Sequence, residues 1–248
     1  MEQSRKKFLK DFLIGATSVP LILEACRKTA ATGTTSGSGS GSGGGSTTCI
    51  VSPTETQGPF PTHIPSSYVR SNIKDDRTGV ALTMNITIKN TNNSCAALAN
   101  AIVDVWHCDK DGYYSEYGGS GMQTIDYTAV HFLRGRQTTD SNGLVTFQSI
   151  FPGWYTGRAT HIHVHIYNAS GTSLLVTQIA FPEGSSSAVA TVNGSGGSAY
   201  GYTKGMSGYT YNASDNVFSD DSTGAEIATV TGSLSAGYVL TQTIYVAT

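Results

Sequence analysis

From residue 80 onward the chain is built of short runs in which apolar side chains fall at every second position. Such alternation belongs to a strand with one buried face, and it excludes a helical core, whose apolar residues recur every three or four positions. Over Val80–Lys89 the apolar set is Leu82, Met84, Ile86 and Ile88. Over Ala101–His107, Ile102, Asp104 and Trp106 oppose Ala101, Val103 and Val105. Leu144–Ile150, His161–Tyr167 and Ser173–Phe181 read as further strands, with a last one near Tyr238–Val246. Turn signals stand between them at Asp111-Gly112, Asp140-Ser-Asn-Gly143 and the Phe151-Pro152-Gly153 corner. Many short strands at this spacing predict an all-β chain, a β-sandwich with long loops. Residues 183–215, rich in Gly, Ser and Tyr, are expected to form long surface loops.

The first 48 residues read differently. Residues 1–26 have the form of an export signal: Arg5, Lys6, Lys7 and Lys10, an apolar run from Phe12 to Leu23, then Ala25 and Cys26. That run is shorter than the roughly 20 residues a membrane-spanning helix needs. Ser4–Lys10 resembles a twin-arginine signal with Lys6 at the second arginine. Leu23-Glu24-Ala25-Cys26 resembles a lipobox, whose cysteine carries the lipid. The expectation is an exported protein of the cell envelope or surface, lipid-anchored at Cys26. Residues 27–48 are almost all Gly, Ser, Thr and Ala and read as a flexible tether reaching on the order of 25 Å. The folded domain is expected over 49–248. Its charge does not suit a polyanion: the chain carries a net −2, and charged residues make up 13 % against the roughly 25 % usual for soluble domains. Nucleic acid is therefore excluded as a partner.

In an exported chain two of Cys49, Cys95 and Cys108 are expected to pair. Cys49 and Cys95 lie in polar, turn-like sequence and form the favoured pair; Cys108, in an apolar-flanked strand, reads as a buried thiol.

Chemistry concentrates in Pro152-Gly153-Trp154-Tyr155-Thr156-Gly157-Arg158-Ala159-Thr160-His161-Ile162-His163. Strand alternation puts His161 and His163 on one face, within reach of one metal ion, and His165 shares that face. Periodicity leaves open which two of the three would be ligands. Tyr155 follows a Pro-Gly corner able to aim it inward, and Arg158 stands between tyrosine and histidines.

Taken with Thr56–Phe60, Val103–Asp109, Gly112–Ser115 and Phe132–Gly135, this stretch resembles the intradiol ring-cleavage dioxygenases, such as catechol and protocatechuate 3,4-dioxygenases, in particular their exported single-chain branch. The ordered motifs span residues 49 to about 182. The resemblance implies a non-haem Fe(III) centre held by Tyr114, Tyr155, His161 and His163. It implies a small aromatic diol and O2 as substrates, with the ring opened between the two oxygen-bearing carbons to a cis,cis-muconate-type diacid. It also gives Tyr155 a second role as base, Arg158 a role in stabilising negative charge on the ring, and Gln178 a place near the substrate. Residues around Thr56 and Phe60 are expected at the pocket mouth. The donor set suits that metal on chemical grounds, because Fe(III) is hard and favours anionic oxygen, whereas zinc sites rarely use tyrosinate. The alternative is a non-catalytic exported β-sandwich that binds without turnover.

Overall fold

A computed structural model describes residues 49–248. The expected signal, Cys26 and the tether over 27–48 lie outside the described residues. Nine strands form two sheets. The first contains β1 (Ala81–Asn90), β2 (Ala96–Ala97), β5 (Leu144–Ile150), β8 (Thr229–Ser233) and β9 (Gly237–Val246). The second has the order β4-β3-β6-β7, from β4 (Arg134–Thr138), β3 (Ile102–Trp106), β6 (His161–Tyr167) and β7 (Ser173–Ala180). All pairings are antiparallel except β1 with β9, which brings the first and last long strands side by side.

The alternation seen in the sequence becomes the sandwich core. Leu82, Met84, Ile86 and Ile88 of β1 meet Val103 and Val105 of β3 and Ile162, Val164 and Ile166 of β6 in one cluster, each at most 1 % exposed. The other face of β3 and β6 carries Asp104, Trp106, His161, His163 and His165. At one end of that face the chain builds a second, smaller apolar cluster of Phe60, Trp106, Cys108 and Tyr114, with Tyr117 and Tyr155 against it. Both faces of the four-stranded sheet are therefore covered where the histidines lie, which is why polar His161 and His163 are each only 2 % exposed.

Cys49 is bonded to Cys95, and Cys108 is a buried free thiol, both as expected. Residues 183–215 differ from the expected surface loops. They contain the short helix α1 (Ala188–Val192), and Val189, Val192, Tyr202 and Tyr209 enter the main core. The Tyr202 hydroxyl donates to the Phe151 carbonyl at 2.6 Å and accepts from the Val80 N–H at 3.2 Å, so a Gly- and Ser-rich stretch is held by tyrosines acting as wedges with polar tips.

Candidate active site

β3 and β6 are paired so that Trp106 stands opposite His163, and β6 and β7 so that His163 stands opposite Gln178. Directly opposite residues in an antiparallel pair share a face. The Pro152–Thr160 connection then enters β6 at His161, two positions from His163. The loop after β3 carries Tyr114 over the same face. Its backbone is clamped by Gln123, whose Oε1 accepts the Tyr114 N–H at 2.7 Å and whose Nε2 donates to the Tyr114 carbonyl at 2.8 Å.

The result is a triangle of three donor atoms. Tyr114 Oη lies 3.1 Å from His161 Nε2 and 3.4 Å from His163 Nε2, and the two Nε2 atoms are 3.1 Å apart. Edges of that length suit ligands about 2.1 Å from one metal ion, the usual imidazole distance. The tautomer of His161 fits as well. Its Nδ1 contacts the Ala159 carbonyl at 2.6 Å and must carry the hydrogen, which leaves the Nε2 lone pair facing the triangle. Burial holds both histidines neutral, His161 down to about 3 and His163 well below its ordinary value. The same burial raises the Tyr114 phenol well above 10, so phenolate forms there only if a positive centre supplies the drive. These residues fit a hard metal ion. His165 stands off: it stacks on Tyr167 and contacts Ser173 Oγ at 2.8 Å.

Tyr155 is close without joining the triangle. Its ring packs edge-on to Phe60 and Tyr114, with centroids 5.3 and 6.1 Å away, while its partly exposed hydroxyl donates to the Met122 carbonyl at 3.0 Å. It also lines a cleft of about 460 Å³ with Asp111, Tyr113, Met122, Thr124 and Lys204, a size suited to a small-molecule ligand. Arg158 is fixed at both ends of its guanidinium: Nε donates to the two Asp215 oxygens at 2.9 and 3.2 Å, and an Nη donates to Gln178 Oε1 at 2.8 Å. Gln178 Nε2 in turn donates to the Thr56 carbonyl at 2.8 Å. Thr56–Phe60 covers the histidines. Gly58 has φ +68°, and a Cβ there would sit 3.0 Å from His163 Cε1, so both conformation and space call for glycine. Phe60 stacks on Tyr114 at 4.7 Å.

The structure thus gathers Tyr114, His161 and His163 in one triangle, sets Tyr155 beside it, and ties Arg158 to Gln178. The residues that sequence reasoning passed over are Gln123, which fixes Tyr114, and Asp215, which fixes Arg158. Asp215 is fully buried and also accepts from the Ala159 and Val217 N–H groups. Burial alone would raise its carboxyl, but the Arg158 guanidinium and these N–H groups hold it below the usual range.

The family model described as Dioxygenase matches residues 57–194. A solved intradiol ring-cleavage dioxygenase from Tetranychus urticae is 30 % identical, with a TM-score of 0.68, covering 80 % of this chain and 95 % of that one. The chain belongs to the intradiol ring-cleavage dioxygenases. Another solved structure, that of the dioxygenase Tetur07g02040, is 28 % identical with a TM-score of 0.67, covering 80 % of this chain and 95 % of that one. The 3-chlorocatechol 1,2-dioxygenase of Rhodococcus opacus 1CP is 20 % identical with a TM-score of 0.53 over 79 % of this chain and 73 % of that chain, a likeness of fold. No curated protein matches the chain. Within this intradiol dioxygenase the family-model match contains Tyr114, Tyr155, His161, His163, Arg158 and Gln178 alike.

Proposed function

We propose that this protein opens a catechol-type ring between its two hydroxylated carbons, inserting both atoms of O2, with non-haem Fe(III) held by Tyr114, His161, His163 and Tyr155. The observation that carries the reading is the triangle of one phenol and two neutral imidazoles, three donors 3.1–3.4 Å apart in a buried pocket. When bound, Fe(III) would supply a Lewis-acidic centre able to accept both diol oxygens and to draw electron density from the ring. The chain's own residues do the rest. Gln123 and the Ala159 carbonyl fix the orientation of Tyr114 and His161, so little reorganisation accompanies binding. Tyr155, whose hydroxyl has one carbonyl as its partner among the described residues, would be able to turn to the metal and lose its proton there. As phenolate it could take a proton from the incoming diol. Arg158, held by Asp215 and Gln178, offers a fixed positive charge to the anion that develops on the ring. Phe60 and Gly58 keep water from the centre. The product is a cis,cis-muconate-type diacid. The protein works outside the cytoplasm, tethered through residues 27–48 and a lipid on Cys26.

The test is a visible absorption spectrum of the iron-loaded protein before and after anaerobic addition of catechol. A tyrosinate-to-iron band that shifts with catechol, followed by O2 uptake and diacid formation in air, is expected. A colourless iron-loaded protein, or a coloured one that never consumes O2 with any catechol, would overturn the reading in favour of a binding module.

A further inference from the structure

Along the outer edge of β7, one strand over from the histidines, lies a second group of side chains of metal-ligating type. The free edge of β7 is covered by two segments. The Glu55 N–H donates to the Val176 carbonyl at 2.8 Å, and the Ala180 N–H donates to the Glu226 carbonyl at 2.9 Å. This brings Glu55 and Glu226 together from opposite ends of the domain, and Asp220 joins them from the loop before β8. One carboxylate oxygen from each lies within 4.8 Å of the others. Acidic clusters are common on surfaces and carry no meaning alone. Glu226 is different, because it is 2 % exposed and neither of its carboxylate oxygens has a hydrogen-bond partner among the described residues.

A buried carboxylate without partners is among the more costly arrangements a fold can hold. The neighbouring groups make matters worse. Burial first, and then the like charges of Glu55, Asp221, Asp220 and Asp215, hold the Glu226 carboxyl up at about 8. The nearby guanidinium, Arg158, is already taken by Asp215 and Gln178. Protonation would not resolve the problem fully, since the described residues still offer no donor to the carboxyl oxygens of Glu226.

We infer that Glu55, Asp220 and Glu226 bind a divalent cation of the calcium type. Three carboxylates without nitrogen or sulfur select a hard ion. Ca2+ accepts several carboxylates in flexible geometry at about 2.4 Å, whereas Mg2+ demands a near-ideal octahedron at about 2.1 Å and usually keeps several of its waters. Calcium also links this edge to the covered histidines. Glu55 precedes Thr56, whose carbonyl receives Gln178 and whose hydroxyl receives the Gly58 N–H at 3.1 Å. An ion on Glu55 therefore braces the Thr56–Phe60 segment from its far end. The inference stands on the β7 edge alone and does not depend on the reaction proposed above.

The experiment is calorimetric titration of CaCl2, and separately MgCl2, into the iron-loaded protein in metal-depleted buffer, with thermal unfolding followed in parallel. We expect one calcium site with a Kd on the order of 10⁻⁴ M, as in extracellular calcium modules. At saturation Tm should rise by on the order of 5 °C. Magnesium should bind at least tenfold more weakly. Glu226→Gln should abolish both the heat and the shift in Tm. Should that variant not fold, Glu55→Gln, at a half-buried position, should weaken calcium binding at least tenfold. A wild-type protein with neither heat nor a Tm shift at millimolar calcium overturns the inference, and so does calcium binding that survives both substitutions. Neither result touches the iron band or its response to catechol, so failure here is distinct from failure of the proposed reaction.

Discussion

Trp106 lies flat on His163, with ring centroids 4.9 Å apart and planes within 1° of parallel. The stack follows from strand register. Arg134, Trp106, His163 and Gln178 stand opposite one another on β4, β3, β6 and β7, forming one row across the sheet. Each member supports a different part of the site. Arg134, 1 % exposed, donates to Ser115 Oγ at 2.8 Å and to the Phe60 carbonyl at 3.0 Å, joining the two segments that carry Tyr114 and Phe60. Gln178 holds Arg158. Trp106 sets the plane of the His163 ring, whose Nδ1 has no partner of its own among the described residues.

The first prediction concerns that stack. Trp106→Ala should destabilise the domain by about 3–5 kcal/mol, the usual loss for truncating a buried aromatic side chain. It should also lower the iron retained after dialysis, because no hydrogen bond to Nδ1 from the described residues holds the His163 ring in its place. Trp106→Phe keeps a flat surface and should retain most of the iron. Urea unfolding and iron content measure the two effects separately. Full iron retention in Trp106→Ala would show that the imidazole needs no such support.

Much of this arrangement is legible in the chain. The strands with clean alternation, β1, β3, β5 and β6, follow from apolar spacing, and the shared face of His161 and His163 follows with them. β4 is not readable in this way, because Arg134-Gly-Arg-Gln-Thr138 is polar and owes its place to Arg134 bonding and to Arg136 pairing with Asp104 across to β3. β8, Thr-Val-Thr-Gly-Ser, is largely exposed and lacks a buried face to betray it. Asp215 and Glu226 lie in loops where an acidic residue reads as a solvated turn, and only tertiary contacts reveal that both are buried. The position of Tyr155 was equally hidden, since a Pro-Gly corner sets where a chain turns and not where a hydroxyl ends.

Tyr155→Phe removes a hydroxyl whose only partner among the described residues is the Met122 carbonyl. Stability should change by no more than about 1 kcal/mol, the net worth of one hydrogen bond. Turnover of catechol should fall on the order of 10²-fold, as for loss of a general base, and the iron band should change in intensity. Steady-state kinetics at saturating catechol are the check, and an unchanged kcat would remove Tyr155 from proton transfer.

Asp215→Asn tests whether Arg158 works through its support. The carboxylate receives Arg158 Nε and two backbone N–H groups, and the amide accepts fewer bonds and lacks the charge. Breaking one side of a buried pair leaves the other unpaired, which costs about 3–5 kcal/mol. At a temperature where the variant stays folded, kcat should fall tenfold or more while iron binding is kept. Intact turnover would mean that Arg158 needs no anchoring carboxylate.

The last prediction concerns acid. His107 is 1 % exposed; its Nδ1 faces the Cys108 carbonyl at 2.7 Å and its Nε2 faces Ser149 Oγ at 2.7 Å, an arrangement that suits the neutral ring. Burial pushes its pKa from 6.5 down to about 4. The unfolded chain therefore takes up a proton below pH 6.5 that the folded chain refuses until about pH 4, and acid favours unfolding across that window. Stability from this group is complete above pH 6.5 and is lost progressively as the pH falls. Between pH 7 and 5 the loss should be about 2 kcal/mol. His107→Gln removes the titration, so its unfolding free energy should fall less than that of the wild type over the same interval, by that amount, even though the variant starts lower at pH 7. His107 is the smallest contributor to the lowered values of His161 and His163, behind burial and Arg158, so those two titrations largely cancel in the difference. Urea denaturation of the two proteins at pH 7 and 5 gives the four numbers needed, and equal losses would show that His107 is protonated in the folded state as readily as in the unfolded chain.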